Sequence, residues 1–136
     1  MLQFDTIAFH IGYAKTGTTA IQEFLAGNPN VLARHGWCCF GGEILGEYVG
    51  INAMVLTWTV TGGRGEHKLP GHQDFEPRFV ALFHRWLQQQ RAKNLLISAE
   101  NLVSFDERRW QQVMEAMKPY CSLKTRILYQ AIAGCQ

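Results

Sequence analysis

The feature that most constrains this chain is an apolar run that breaks into a glycine-bounded turn and then into a helix-forming segment. Thr6 to Ile11 (TIAFHI) holds His10 as the one polar residue after its opening threonine, as expected of a strand covered on both faces. Gly12 to Gly17 follows as a loop. Thr18 to Ala26 then sets Ala20, Ile21, Phe24 and Leu25 at helical spacing, and Gly27 offers a C-terminal stop. Strand, loop and helix in that order open a βαβ unit, which buries its faces only inside a parallel sheet flanked by helices.

The remaining chain repeats the alternation. Trp37 to Phe40 reads as a strand introduced by a turn at Gly36, and Ile44 to Leu56 as a helix. Thr61 to Asp74, rich in Gly, charge and His, reads as a surface loop. Asp74 is placed to cap a helix with Pro77 in its first turn and Phe75, Phe79, Leu82, Phe83, Trp86 and Leu87 on one face. Leu95 to Ser98 predicts a third strand, Asp106 to Met117 a helix with Trp110, Val113, Met114 and Met117 inward, and Thr125 to Ile132 a fourth strand. The expectation is one α/β domain over residues 1–136, a three-layer sandwich with a central parallel sheet of about four strands flanked by helices.

Composition narrows the function classes. The 136 residues are 47% hydrophobic and 18% charged, which suits a globular core. A net charge of +2 gives no field that would recruit nucleic acid or a membrane. The apolar runs fall well short of the roughly 20 residues that span a bilayer. The four cysteines, Cys38, Cys39, Cys121 and Cys135, form no C-x-x-C pair. With no secretory leader pattern at the start, they read as reduced thiols of a cytoplasmic protein, the adjacent pair being inert on a buried strand.

The chemistry concentrates in Gly12-Tyr13-Ala14-Lys15-Thr16-Gly17-Thr18-Thr19. A helix that starts directly after a strand presents unpaired N–H groups and a positive dipole end. Glycine lets the backbone curl round an anion, Lys15 adds a full charge, and Thr16, Thr18 and Thr19 add hydroxyls. Gly12, Gly17 and Thr19 keep the spacing of a nucleotide triphosphatase P-loop, G-x-x-x-x-G-K-[ST]. Thr18, however, stands in the lysine position and the lysine has moved upstream to Lys15. Without that lysine, ATP or GTP hydrolysis loses its main β/γ-phosphate contact.

This departure resembles the 5′-phosphosulfate loop of the P-loop sulfotransferases, which reads P-K-x-G-T-T or K-T-G-T-T. His10-Ile11-Gly12, Lys15 to Thr19 and Ile21-Gln22 look like bacterial members of that superfamily over roughly residues 7 to 26. Leu96-Ile97-Ser98-Ala99-Glu100-Asn101-Leu102 is similar to their S-x-E segment. The resemblance implies a P-loop-like fold and 3′-phosphoadenosine 5′-phosphosulfate (PAPS) as co-substrate, without a metal. Lys15 would contact the sulfonate and the bridging oxygen. Thr16, Gly17, Thr18 and Thr19 would hold the 5′-phosphate, and the sulfuryl group would pass in line to an acceptor hydroxyl or amine. Glu100, at the carboxyl end of a predicted parallel strand, ranks first as the base that takes the acceptor proton, ahead of His35 and His67.

Other residues are read more plainly. His10 is expected to be a satisfied core histidine, His67 and His72 solvated loop residues, and Arg108-Arg109 a solvated helix face. The family's 3′-phosphate element is an aromatic or aliphatic run followed by Arg and a later Ser. Ile127-Leu128-Tyr129 begins such a run, but Gln130 stands at the Arg position and no Ser follows. The sequence therefore reads as the N-terminal part of the family fold, truncated, with self-association expected through an exposed apolar edge at the fourth strand. Two other readings remain open at this point: a P-loop nucleotide or metabolite kinase, and a non-catalytic binding module.

Overall fold

The computed structural model describes residues 3–12, 18–50, 77–99 and 105–132. Their order is β1 (Phe4–Gly12), α1 (Thr18–Gly27), α2 (Pro29–Arg34), β2 (Trp37–Cys39), β3 (Glu43–Ile44) and β4 (Glu47–Tyr48). After these come α3 (Pro77–Gln89), β5 (Asn94–Ser98), α4 (Glu107–Met117), a 3-10 turn (Lys118–Tyr120) and β6 (Cys121–Ile132). β2, β5, β1 and β6 form one four-stranded sheet in that order, and every pairing in it is parallel. The protein is thus α/β, with a central parallel sheet flanked by helices, as the alternating pattern requires. No described helix is long and apolar enough to cross a membrane.

The two faces of the sheet are assigned by ring contacts. Phe9 meets Trp110 of α4 edge-on at 5.3 Å and stacks on Tyr129 of β6 at 5.7 Å. His84 Nδ1 of α3 lies 3.0 Å from the Tyr120 hydroxyl, which puts α3 on the same side as α4. The strand alternation therefore turns Ile7, Phe9 and Ile11 towards α3 and α4, and Thr6, Ala8 and His10 to the opposite face. The β1-to-β2 crossover runs opposite in direction to the β5-to-β6 crossover. Right-handedness in both places α1 on that second face. On the α3 side Phe40 packs edge-on against Phe83 at 5.0 Å and Trp86 at 5.4 Å, closing the core around β2. The predicted face of α3 is buried at Phe79, Leu82, Phe83, Trp86 and Leu87, while Asp74 and Phe75 lie outside the described residues.

Three local outcomes differ from the sequence expectation. Ile44 to Leu56 was expected to be helical, yet Glu43–Tyr48 forms a tight hairpin, and residues 51–56 lie outside the described part. The hairpin turn Leu45-Gly46 has φ of 48° and 87°, the two left-handed residues that match the twist of paired strands. Gly42 and Gly50, also at positive φ, close its base through Gly42 N–H to Gly50 O at 2.6 Å and Val49 N–H to Gly42 O at 3.0 Å. The second difference is α2, a six-residue helix with proline in its first turn, which the sequence reading passed over. The third is the rotation of α1. Leu25 is buried as its spacing suggests, but Ile21 and Phe24 are exposed and Gln22 is turned inward.

β6 is longer than the expected Thr125 to Ile132 and begins at Cys121. It slips register against β1 between Phe4 and Thr6, and the Thr125 hydroxyl covers the slip by donating to Phe4 O at 2.6 Å. As the outermost strand it leaves Leu123, Leu128 and Tyr129 exposed.

The glycines of the hairpin separate two costs that a single substitution usually mixes. A Cβ on Gly46 would meet open space, so Gly46→Ala should cost about 1–2 kcal/mol for the left-handed backbone alone. A Cβ on Gly42 would come within 2.7 Å of Ala26 O in α1. Gly42→Ala should therefore lower urea stability by clearly more than Gly46→Ala, and equal midpoints would show that the hairpin is not seated against α1.

Candidate functional site

In an open parallel sheet, ligands bind outside the carboxyl ends of the strands where neighbouring connections diverge. Here that place lies between β1 and β5. The connection leaving β1 passes to β2 on one side, and the connection leaving β5 passes to β6 on the other. The sequence could name two interesting strand ends but not make them neighbours. β1 and β5 pair directly, with His10 opposite Ser98.

The two strand ends are tied together twice. Ala99 N–H donates to His10 O at 3.2 Å, extending the ladder to the last described residue before Glu100. His10 Nδ1 lies 2.7 Å from the Ser98 hydroxyl, and both side chains are buried, at 7% and 2% exposure. A histidine expected to be a satisfied core residue thus bridges the ends of β1 and β5. A hydrogen bond in so dry a place costs about 1–3 kcal/mol to break from one side.

The predicted site residues follow these two strand ends in the chain. β1 ends at Gly12, and α1 begins at Thr18 and Thr19, so residues 13–17 join a strand paired on both edges to a helix N-terminus. Lys15, Thr16 and Gly17 lie outside the described residues, as does Glu100, which directly follows Ala99. His35 caps α2 ahead of β2, at the amino edge of the parallel sheet, so it does not join the Gly12 and Ala99 ends. His67 lies outside the described residues. Gln130, at the position of the expected arginine, pairs in register with His10 on the other side of β1.

One residue that sequence reasoning noted only as part of the resemblance gains weight from the fold. Gln22 is 2% exposed, and its Nε2 has no hydrogen-bond partner among the described residues. Its signal in the sequence was faint: a glutamine four residues after Thr18, on a helix with apolar residues to spare.

The vicinal thiols belong elsewhere. Cys38 and Cys39 line a cavity of about 320 Å³ outside β2, together with Trp37, Trp86, Glu43 and Arg91. Burial pushes both thiols up to about 12, with the neighbouring Cys39 adding to the shift at Cys38. Protonated thiols are poor nucleophiles, in keeping with a structural role. No family model, curated protein or solved structure matches this chain.

Ser98→Ala removes the hydroxyl from the buried imidazole without changing the strand. It should destabilise the protein by about 1–3 kcal/mol in urea denaturation. A loss below about 0.5 kcal/mol, the range of ordinary surface substitutions, would show that the His10–Ser98 bond does not hold the strand ends.

Proposed function

We propose that the chain is a sulfotransferase-type protein with a P-loop-like fold that binds PAPS at the N-terminus of α1 and transfers its sulfuryl group to an acceptor hydroxyl or amine. The observation that carries the reading is the segment Gly12 to Thr19, with one lysine, two glycines and three threonines, spanning the strand-to-helix step beside the β1–β5 switch point. Lys15 is upstream of the position a triphosphatase uses, which favours a sulfonucleotide over ATP.

The chemistry asks little covalent work of the protein. Backbone N–H groups and the hydroxyls of Thr16, Thr18 and Thr19 hold the 5′-phosphate, and Lys15 offsets the charge that builds on the departing phosphate as the S–O bond breaks. Glu100 takes the proton from the acceptor as its oxygen or nitrogen bonds to sulfur. The support for that role is its place one residue beyond the Ala99–His10 ladder bond. Fixing donor and acceptor in line supplies much of the remaining acceleration.

Calorimetric titration tests the cofactor class with 3′-phosphoadenosine 5′-phosphate, the product left after transfer, beside ATP with magnesium. Selective binding of the sulfonucleotide, lost by at least about tenfold in Lys15→Ala, is expected from removing a charge-assisted contact. Preference for ATP with magnesium would replace this reading with a kinase-type one, and binding of neither would leave a non-catalytic module. In a sulfuryl-transfer assay, Glu100→Gln should lower turnover by about 100-fold or more. Turnover within a few-fold of wild type would remove Glu100 as the base.

A further inference from the structure

We propose that Gln22 is a ligand-binding residue whose side-chain amide donates to an oxyanion oxygen at the N-terminus of α1. The inference rests on reading that helix end as an anion site, and adds a donor that neither the loop motif nor the resemblance assigns a role.

Two independent observations meet at α1. The first is the helix itself, ten residues long, whose opening N–H groups follow the glycine-bounded loop. The second is Gln22, buried to 2% exposure with Nε2 unpartnered among the described residues. Thr18 and Gln22 are four residues apart and share one helix face, separated by about 6 Å along the axis. Helical side chains lean towards the N-terminus, so a long side chain at position 22 reaches back along the buried face towards the turn that Thr18 opens.

The rotation of α1 argues that the burial is not incidental. Hydrophobic burial alone would turn Phe24 and Ile21 to the sheet, yet these are 54% and 37% exposed while the glutamine is inside. A buried amide without an acceptor opposes folding, and in native proteins such a group is accounted for by strain, a functional role, or a bound water or ion. The missing partner is an acceptor, and an oxyanion supplies one at the positive end of the helix dipole. The shared chemistry is a phosphate or sulfonate oxygen. Its sources are the sulfonucleotide, another nucleotide, or free phosphate.

Gln22→Met keeps the length of the side chain and removes the donor. Wild type and Gln22→Met are titrated with 3′-phosphoadenosine 5′-phosphate, with ATP and magnesium, and with inorganic phosphate, and the ligand-free Tm of each is recorded. The expected result is at least about tenfold weaker binding of whichever oxyanion the wild type takes, with a ligand-free Tm unchanged or raised. Equal affinity in the two proteins overturns the inference, and a lowered Tm with equal affinity marks Gln22 as purely structural. Should the variant not fold, the wild type still decides. Its Gln22 side-chain N–H₂ resonances shift on addition of the ligand if the inference is right, and staying in place overturns it. The outcomes separate the two readings. If the wild type takes ATP or phosphate instead of the sulfonucleotide and Gln22→Met loses it, the sulfonucleotide reading fails and the role of Gln22 stands. If sulfonucleotide binding is untouched by Gln22→Met, the reverse holds. A wild type that binds none of the three overturns both.

Discussion

β1 is hydrogen-bonded on both edges, to β5 from Thr6 to His10 and to β6 from Thr6 to Gly12. Its backbone polar groups are thereby satisfied in a layer where water cannot reach them, and its side chains are committed to two opposite cores. Phe9 and Ile7 anchor the α3–α4 side, where the Phe9, Trp110 and Tyr129 rings interlock. The other side receives Thr6 and His10 beneath α1. Because the strand is fixed on both edges, the chain leaving its carboxyl end starts from a defined point and direction.

That rigidity is shared with β5. The Ala99–His10 backbone bond and the buried His10–Ser98 contact hold the two strand ends at one spacing, so the segments that leave them share a common base. A polar pair in this position costs more to bury than an apolar one, and the contact between His10 Nδ1 and the Ser98 hydroxyl joins the two strand ends directly. Away from this edge the sheet is closed by ordinary aromatic packing, and the thiols of β2, pushed up by desolvation, line a cavity apart from the switch point.

The sequence read well wherever one local signal acted alone. β1, β2 and β5 were visible as short apolar runs, and α3 as a strong one-sided helix, because period and burial coincide in them. It misread Glu43–Tyr48, where Ile44, Leu45 and Tyr48 have helical spacing but Gly42, Gly46 and Gly50 impose positive φ at four-residue intervals. Turn chemistry outweighed periodicity there, since a glycine every four residues weakens a helix and provides the angles of a hairpin. The face of α1 was also beyond the sequence. Its apolar residues Ala20, Ile21, Phe24 and Leu25 share one face about 140° wide, yet the helix buries the Leu25 edge of that face and Gln22 beside it, leaving Ile21 and Phe24 exposed.

By itself the sequence determined the alternation of strands and helices and the gathering of one lysine, two glycines and three threonines in Gly12 to Thr19. Both follow from residues close together in the chain, acting through backbone freedom, charge and hydroxyl donors. Only the tertiary structure decided that β5 lies beside β1, that His10 meets Ser98 across 88 residues, and that Gln22 rather than Phe24 is turned inward. Strand order and helix rotation are set by how whole faces fit together, a competition among distant surfaces that no local pattern records.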